Sequence, residues 1–177
     1  MNKKIFALAF IIPLLILLLL TIQPLLTMLW GQEITLETVP VDPVDLFRGD
    51  YVRLEYKINT VNVTKMPEQL NLKEPDYRQL NSRQLYAVLK KTGDYDEVDY
   101  ITLDQPKDQL YIKCKFDHFT GDVKNSSTEA HVNYHLDRYF VAENTGTKLE
   151  EQSRKGDVVA RVKVFHGYAL LVGVGPR

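Results

Sequence analysis

Within seven residues the chain places two carboxylates, a guanidinium and a phenol: Asp45, Arg48, Asp50 and Tyr51. Ionised carboxylates accept several hydrogen bonds each, and the planar fork of an arginine pairs with carboxylate or phosphate oxygens. Such a cluster can hold a polar ligand or the face of a partner protein. The two carboxylates, with Tyr51, also admit an alternative in which the cluster hydrolyses an envelope substrate by acid–base chemistry. His131 and His135 are the other candidates. Four residues apart on a helix they would share a metal ion, with His118 or Asp137 as further donors. On a strand they stand about 13 Å apart, too far for one ion. Val132 and Tyr134 alternate with Asn133 and His135 as in a strand, so no metal site is assigned.

Other chemistries lack their parts. Cys114 is the only cysteine, which excludes an intramolecular disulfide and a zinc–thiolate cluster. No serine precedes Ser82, so the proline-rich stretch before Gly49 has no serine nucleophile for a lysine base to activate. Neither a Gly-x-Ser-x-Gly elbow nor a Cys–His arrangement occurs. The acidic residues are plentiful, but no spacing singles out a glycosidase pair. The balance leans away from an enzyme, and no cofactor is called for.

The elements that position these groups begin with an apolar run. Ile5 to Ile22 has no ionisable side chain and as a helix is about 27 Å long. That nearly matches a hydrocarbon layer of about 30 Å, and the apolar character continues to Trp30. Residues 5–30 are therefore read as a transmembrane signal-anchor. Lys3 and Lys4 keep residues 1–4 cytoplasmic, and Trp30 suits the opposite interface. The run is longer than a signal peptide's core and no small-x-small cleavage site follows it. Residues 31–177 become an extracytoplasmic domain on a single-pass protein of the cell membrane, with the lipid bilayer as its first partner. Lys3 and Lys4 are the only ionisable side chains before residue 31, so that domain holds 20 basic and 23 acidic residues. Its mild charge offers no footprint for nucleic acid.

Period-2 alternation recurs along the outer domain, as in half-buried strands. It is clearest in Val52–Ile58, Leu110–Phe116 and Val158–Val164, and shorter in Glu33–Val39, Leu85–Lys90, Val98–Leu103, Val132–Leu136 and Tyr139–Val141. Tyr168–Val174 is apolar on both faces, which predicts a central strand or one covered by another layer. His166-Gly167 predicts a two-residue hairpin turn with positive φ. Thr147-Lys148-Leu149-Glu150 has capping-box spacing and predicts one short helix before Gly156. Pro67 and Pro75 interrupt Lys65–Asn81, which reads as a long excursion. Four Gly-Asp dipeptides mark turns, and those at Gly49 and Gly93 lead into similar Gly-Asp-Tyr segments. The expected fold is mainly β: a sandwich or partly open barrel after a transmembrane helix.

The most distinctive stretch is Val39-Pro40-Val41-Asp42-Pro43-Val44-Asp45-Leu46-Phe47-Arg48-Gly49-Asp50-Tyr51-Val52-Arg53-Leu54-Glu55-Tyr56. Together with Tyr139-Phe140-Val141-Ala142-Glu143-Asn144, it closely resembles the signature of the GDYxxLxY family. That resemblance implies a bacterial, membrane-anchored protein and supplies a topology but no reaction. It makes the Asn62-Val63-Thr64 and Asn125-Ser126-Ser127 glycosylation patterns irrelevant. Arg48-Gly49-Asp50 as an adhesion tripeptide is too common by chance to carry weight. Physically, Pro40 and Pro43 stiffen the exit from the first strand, Asp42 and Asp45 cap the turn, and Gly49 allows the reversal. Leu54 and Tyr56 then enter the core, with Tyr51 on the opposite face. The motif is thus a corner that fixes the fold, while Asp45, Arg48, Asp50 and Tyr51 remain candidates for binding a membrane-protein or envelope partner.

Overall fold

The computed structural model describes residues 3–40, 51–67, 83–121, 128–140 and 158–176. It opens on helix α1, Lys3–Trp30, which runs through Pro13 and Pro24. Its stretch from Phe10 to Leu20 presents large apolar side chains that are 48 to 68 % exposed. Such exposure of an apolar surface fits a segment whose solvent is hydrocarbon. Among the described residues, one helix is thus long and apolar enough to cross a membrane. Its last turns meet the domain: Thr27 is fully buried, and its hydroxyl donates back to the Gln23 carbonyl.

Strand β1, Gln32–Val39, begins one residue after the helix ends. Alternate residues Ile34 and Leu36 are buried, so the strand's period of two places one face in the core. It pairs antiparallel with β10, Val158–Phe165, which pairs in turn with β11, Tyr168–Pro176. The short β3, Glu55–Tyr56, completes a sheet in the order β11-β10-β1-β3. A five-stranded sheet has the order β4-β8-β7-β5-β6, built from Thr60–Asn62, Glu129–Asn133, Tyr111–Thr120, Leu85–Thr92 and Tyr95–Thr102. One sheet is curled into a half-barrel and packs with the other. Leu36 and Val162 from one side meet Leu85, Ile112 and Val132 from the other in one apolar core. The protein is therefore mainly β, as the alternation predicts.

Asp96 ties the sheets where no ladder does. Its carboxylate on β6 accepts the Thr35 amide of β1 at 2.9 Å, and the side chain is buried. The charge-assisted bond satisfies a strand amide that faces away from its own ladder.

Two local predictions hold with their physics visible. His166 and Gly167 sit at φ 48° and 77°, the double positive φ of a type I′ hairpin turn. Gly93, at φ 64°, opens the Gly93-Asp94 turn between β5 and β6.

Other expectations need correction. Val52–Ile58 is not one strand: β2, Tyr51–Arg53, pairs with β9, Arg138–Phe140, whereas β3 pairs with β1 and a 3₁₀ turn follows at Lys57–Asn59. Burial of Leu54, Tyr56 and Ile58 still alternates, because the core lies to one side while the ladder partner changes. The strand expected at Val132–Leu136 ends at Asn133, where His135 enters the left-handed region at φ 58°. Tyr168–Val174 is not central but at the margin of its ladder; the other alternative, cover by another layer, is met by α1, which packs against the β10–β11 pair. Of the excursion from Lys65, only the end of a 3₁₀ turn at Val63–Lys65, Met66 and Pro67 are described. The short helix expected at 147–156 lies outside the described residues.

Candidate functional site

The segment holding Asp42, Pro43, Asp45, Arg48, Gly49 and Asp50 also lies outside the described residues. Its two ends are on view. Pro40 is exposed just past the end of β1, and Tyr51 opens β2 opposite Phe140. Val52 faces Tyr139 in the same ladder. The two segments that carry the family resemblance, nearly ninety residues apart in the chain, are therefore hydrogen-bonded neighbours.

Beyond β2 the motif is a packed corner. The Leu54 amide donates to the Asp137 carbonyl at 2.9 Å, and the buried Tyr56 hydroxyl donates to the Leu136 carbonyl at 2.7 Å. Tyr134 returns the gesture, its hydroxyl donating to the Ile58 carbonyl at 3.0 Å. Asn59 serves both strands: its Oδ1 accepts the Tyr56 amide, while its Nδ2 donates to the Val132 carbonyl. Residues 54–59 and 132–137 are thus stitched by side chains where the regular ladder stops. Buried carbonyls left over by broken strands need such donors. Burial, aided for Tyr56 by the nearby Asp137 charge, pushes both phenols above their usual range. They stay protonated donors at neutral pH. Leu54 and Tyr56 are buried in the core, as their alternation suggests.

A cleft of about 170 Å³ lies beside this corner, between Ile58, Val61 and Lys65 on one wall and Glu97 and Val98 on the other. At its rim Lys57 is held between Glu97 at 3.0 Å and Glu37 at 3.2 Å. Hydrogen bonds to Glu97 and then Glu37 raise the pKa of its ammonium group. Lys57 is therefore a fixed cation, unsuited to act as a base or nucleophile at neutral pH. Lys65 donates to the Val98 carbonyl at 2.6 Å. Sequence inspection misses this cleft, because its charges are spread over β1, β6 and two 3₁₀ turns with no shared spacing.

The histidines regroup as well. His131 on β8 lies opposite His118 on β7, not beside His135, and their rings stack with centroids 4.4 Å apart and planes 5° apart. The neighbouring Asp117 carboxylate is 3.2 Å from His118 Nδ1. Lone pairs of parallel rings run parallel instead of converging on one ion. Among the described residues, no group of three or more His, Cys, Asp or Glu could hold a metal. Cys114 is buried in the core, and burial pushes its thiol up to about 12, which makes it unreactive while folded.

The sequence model of the family described as GDYXXLXY protein matches residues 13–174. The match runs from within α1 to near the end of β11, and so takes in both the helix and the β-domain. No curated protein matches the chain, and neither does any solved structure.

Proposed function

The chain belongs to the GDYXXLXY family, and on that premise we propose a single-pass membrane protein whose β-domain lies outside the cytoplasm and acts as an accessory subunit for a membrane or envelope partner. The carrying observation is the bare apolar helix, joined to the domain with only Gly31 between α1 and β1. A helix apolar on every side is stable only in lipid or against other membrane helices. Lys3 and Lys4 favour a cytoplasmic N-terminus. Partner recognition falls to Asp45, Arg48, Asp50 and Tyr51, in a segment whose flanking strands β1 and β2 are each tied into a sheet.

The test is crosslinking and co-purification of the intact protein from native membranes, with Asp45→Ala, Arg48→Ala and Asp50→Ala beside it. A single partner, lost in variants whose thermal midpoint is unchanged, supports recognition by this cluster. Recovery of the protein alone refutes the accessory role. Loss of partner together with loss of folding assigns the cluster to the architecture instead.

A further inference from the structure

The junction between helix and domain is one residue long and hydrogen-bonded on both sides. The Gly31 amide donates to the Thr27 carbonyl at 2.9 Å, continuing the helical pattern up to the start of β1. Lys163 of β10 donates its ammonium to the Met28 carbonyl at 2.6 Å, capping the negative end of the helix. A Cβ at Gly31 would strike the Thr27 carbonyl oxygen and come within 3.0 Å of Lys163 Cβ and 3.2 Å of the Val164 nitrogen, so the linking residue is closely packed between the helix end and β10. A domain held this way has little freedom to lift off the surface from which its helix emerges.

The strand register then fixes what lies at that surface. Gln32 is opposite Val164, so Phe165 and the His166-Gly167 turn lie beyond the start of β1, on the side of the helix end. The turn thus projects two residues beyond the last β1 pair, about 7 Å toward the helix. That matches an interfacial layer of roughly 5 to 8 Å on each side of the hydrocarbon. The rings confirm the level: Trp30 and Phe165 have centroids 6.4 Å apart, and Phe165 meets His166 edge-on at 4.4 Å. Trp30 is 67 % exposed and His166 is exposed, while Phe165 and Tyr168 are half-buried. Aromatic rings with polar tips are the side chains that settle at headgroup level.

We propose that the β10–β11 turn is a second membrane contact, seated in the headgroup layer of the leaflet where Trp30 lies, with Phe165 and His166 against lipid. The inference rests on the anchor reading of α1. Its consequence is that the domain has one fixed face toward the bilayer.

The experiment uses the full chain in phosphatidylcholine–phosphatidylglycerol vesicles, with a nitroxide attached at His166→Cys or, as control, at Pro176→Cys. Pro176 is exposed at the far end of β11, about 26 Å from the turn by strand rise. The buried Cys114 stays in place and does not label in the folded protein. The label at 166 should collide several-fold less with an aqueous nickel chelate than the label at 176, and more with oxygen. Trp30, the sole tryptophan, reports the anchor through quenching by brominated lipid. Quenched Trp30 with equal chelate access at 166 and 176 overturns the contact and leaves the anchor standing. Unquenched Trp30 overturns both. Should cysteine at position 166 disturb the turn, Phe165→Trp in a Trp30→Phe background gives the same reading by bromolipid quenching: strong quenching supports the contact, and none overturns it.

Discussion

Replacing Tyr56 with phenylalanine removes one oxygen from the last tyrosine of the motif and keeps the ring. The ring is 2 % exposed, and its hydroxyl donates at 2.7 Å to a carbonyl in the segment after β8. A net hydrogen bond contributes about 0.5–1.5 kcal/mol, and an acceptor stranded away from water costs about 1–3 kcal/mol. Tyr56→Phe should therefore cost about 1–3 kcal/mol, and Tyr134→Phe, whose bond is longer at 3.0 Å, should fall in the lower half of that range. The two bonds join the same pair of segments, so their losses should not add, with a coupling of at least about 0.5 kcal/mol in a double-mutant cycle. Urea unfolding of the full chain in detergent, followed by near-ultraviolet circular dichroism, measures all three variants. A loss below about 0.3 kcal/mol for Tyr56→Phe would refute the stitched corner, since a hydroxyl that water replaces freely is not closing a buried junction.

Other consequences are as direct. Cys114 has its pKa raised by burial from 9.0 to about 12, and Tyr56 and Tyr134 are raised above 10.0 chiefly by burial. The unfolded chain loses these protons first, so their stabilisation is complete below about pH 9 and is lost as pH rises toward 12 and beyond, by up to about 1.4 kcal/mol per pH unit for each group. Cys114→Ala should flatten that limb between pH 9 and 10, before the tyrosines enter; chemical unfolding across the range reads it, and an unchanged slope counts against a buried thiol. Gly167→Ala combines positive φ with a Cβ driven into the Tyr111 ring, whereas Gly93→Ala meets positive φ in open space. The first should cost about 2–4 kcal/mol and the second about 1 kcal/mol, and equal thermal shifts would contradict the packing beneath the β10–β11 turn. Asp96→Ala strands the Thr35 amide and should cost about 1–3 kcal/mol, with Asp96→Asn milder because it keeps an acceptor; indistinguishable melts for the two would deny the link between sheets.

Features set by short-range physics were legible in the residues alone. An uncharged apolar run too long for a strand predicts α1, which the structure shows as a helix from Lys3 to Trp30. Alternation fixes which faces of β1, β7 and β10 are buried, because side chains on a strand point to opposite sides. His166-Gly167 fixes a turn, because its neighbours alternate and a glycine there tolerates positive φ. The name of the family was legible from Pro40 to Tyr56 and from Tyr139 to Asn144, and the match to residues 13–174 bears it out.

What the tertiary structure decided is which strand meets which. Period two tells a side chain its face but not its partner, and so Tyr51–Arg53 and Glu55–Tyr56 read as one strand while they pair with β9 and β1 respectively. For the same reason His131 found His118 across a bulged ladder, and Lys57 found Glu37 and Glu97 from two different strands. The level of the β10–β11 turn beside Trp30 follows from a register between residues more than 130 apart, which no local pattern encodes. Contacts of that kind are won by packing the whole core at once, after local propensity has chosen only the pieces.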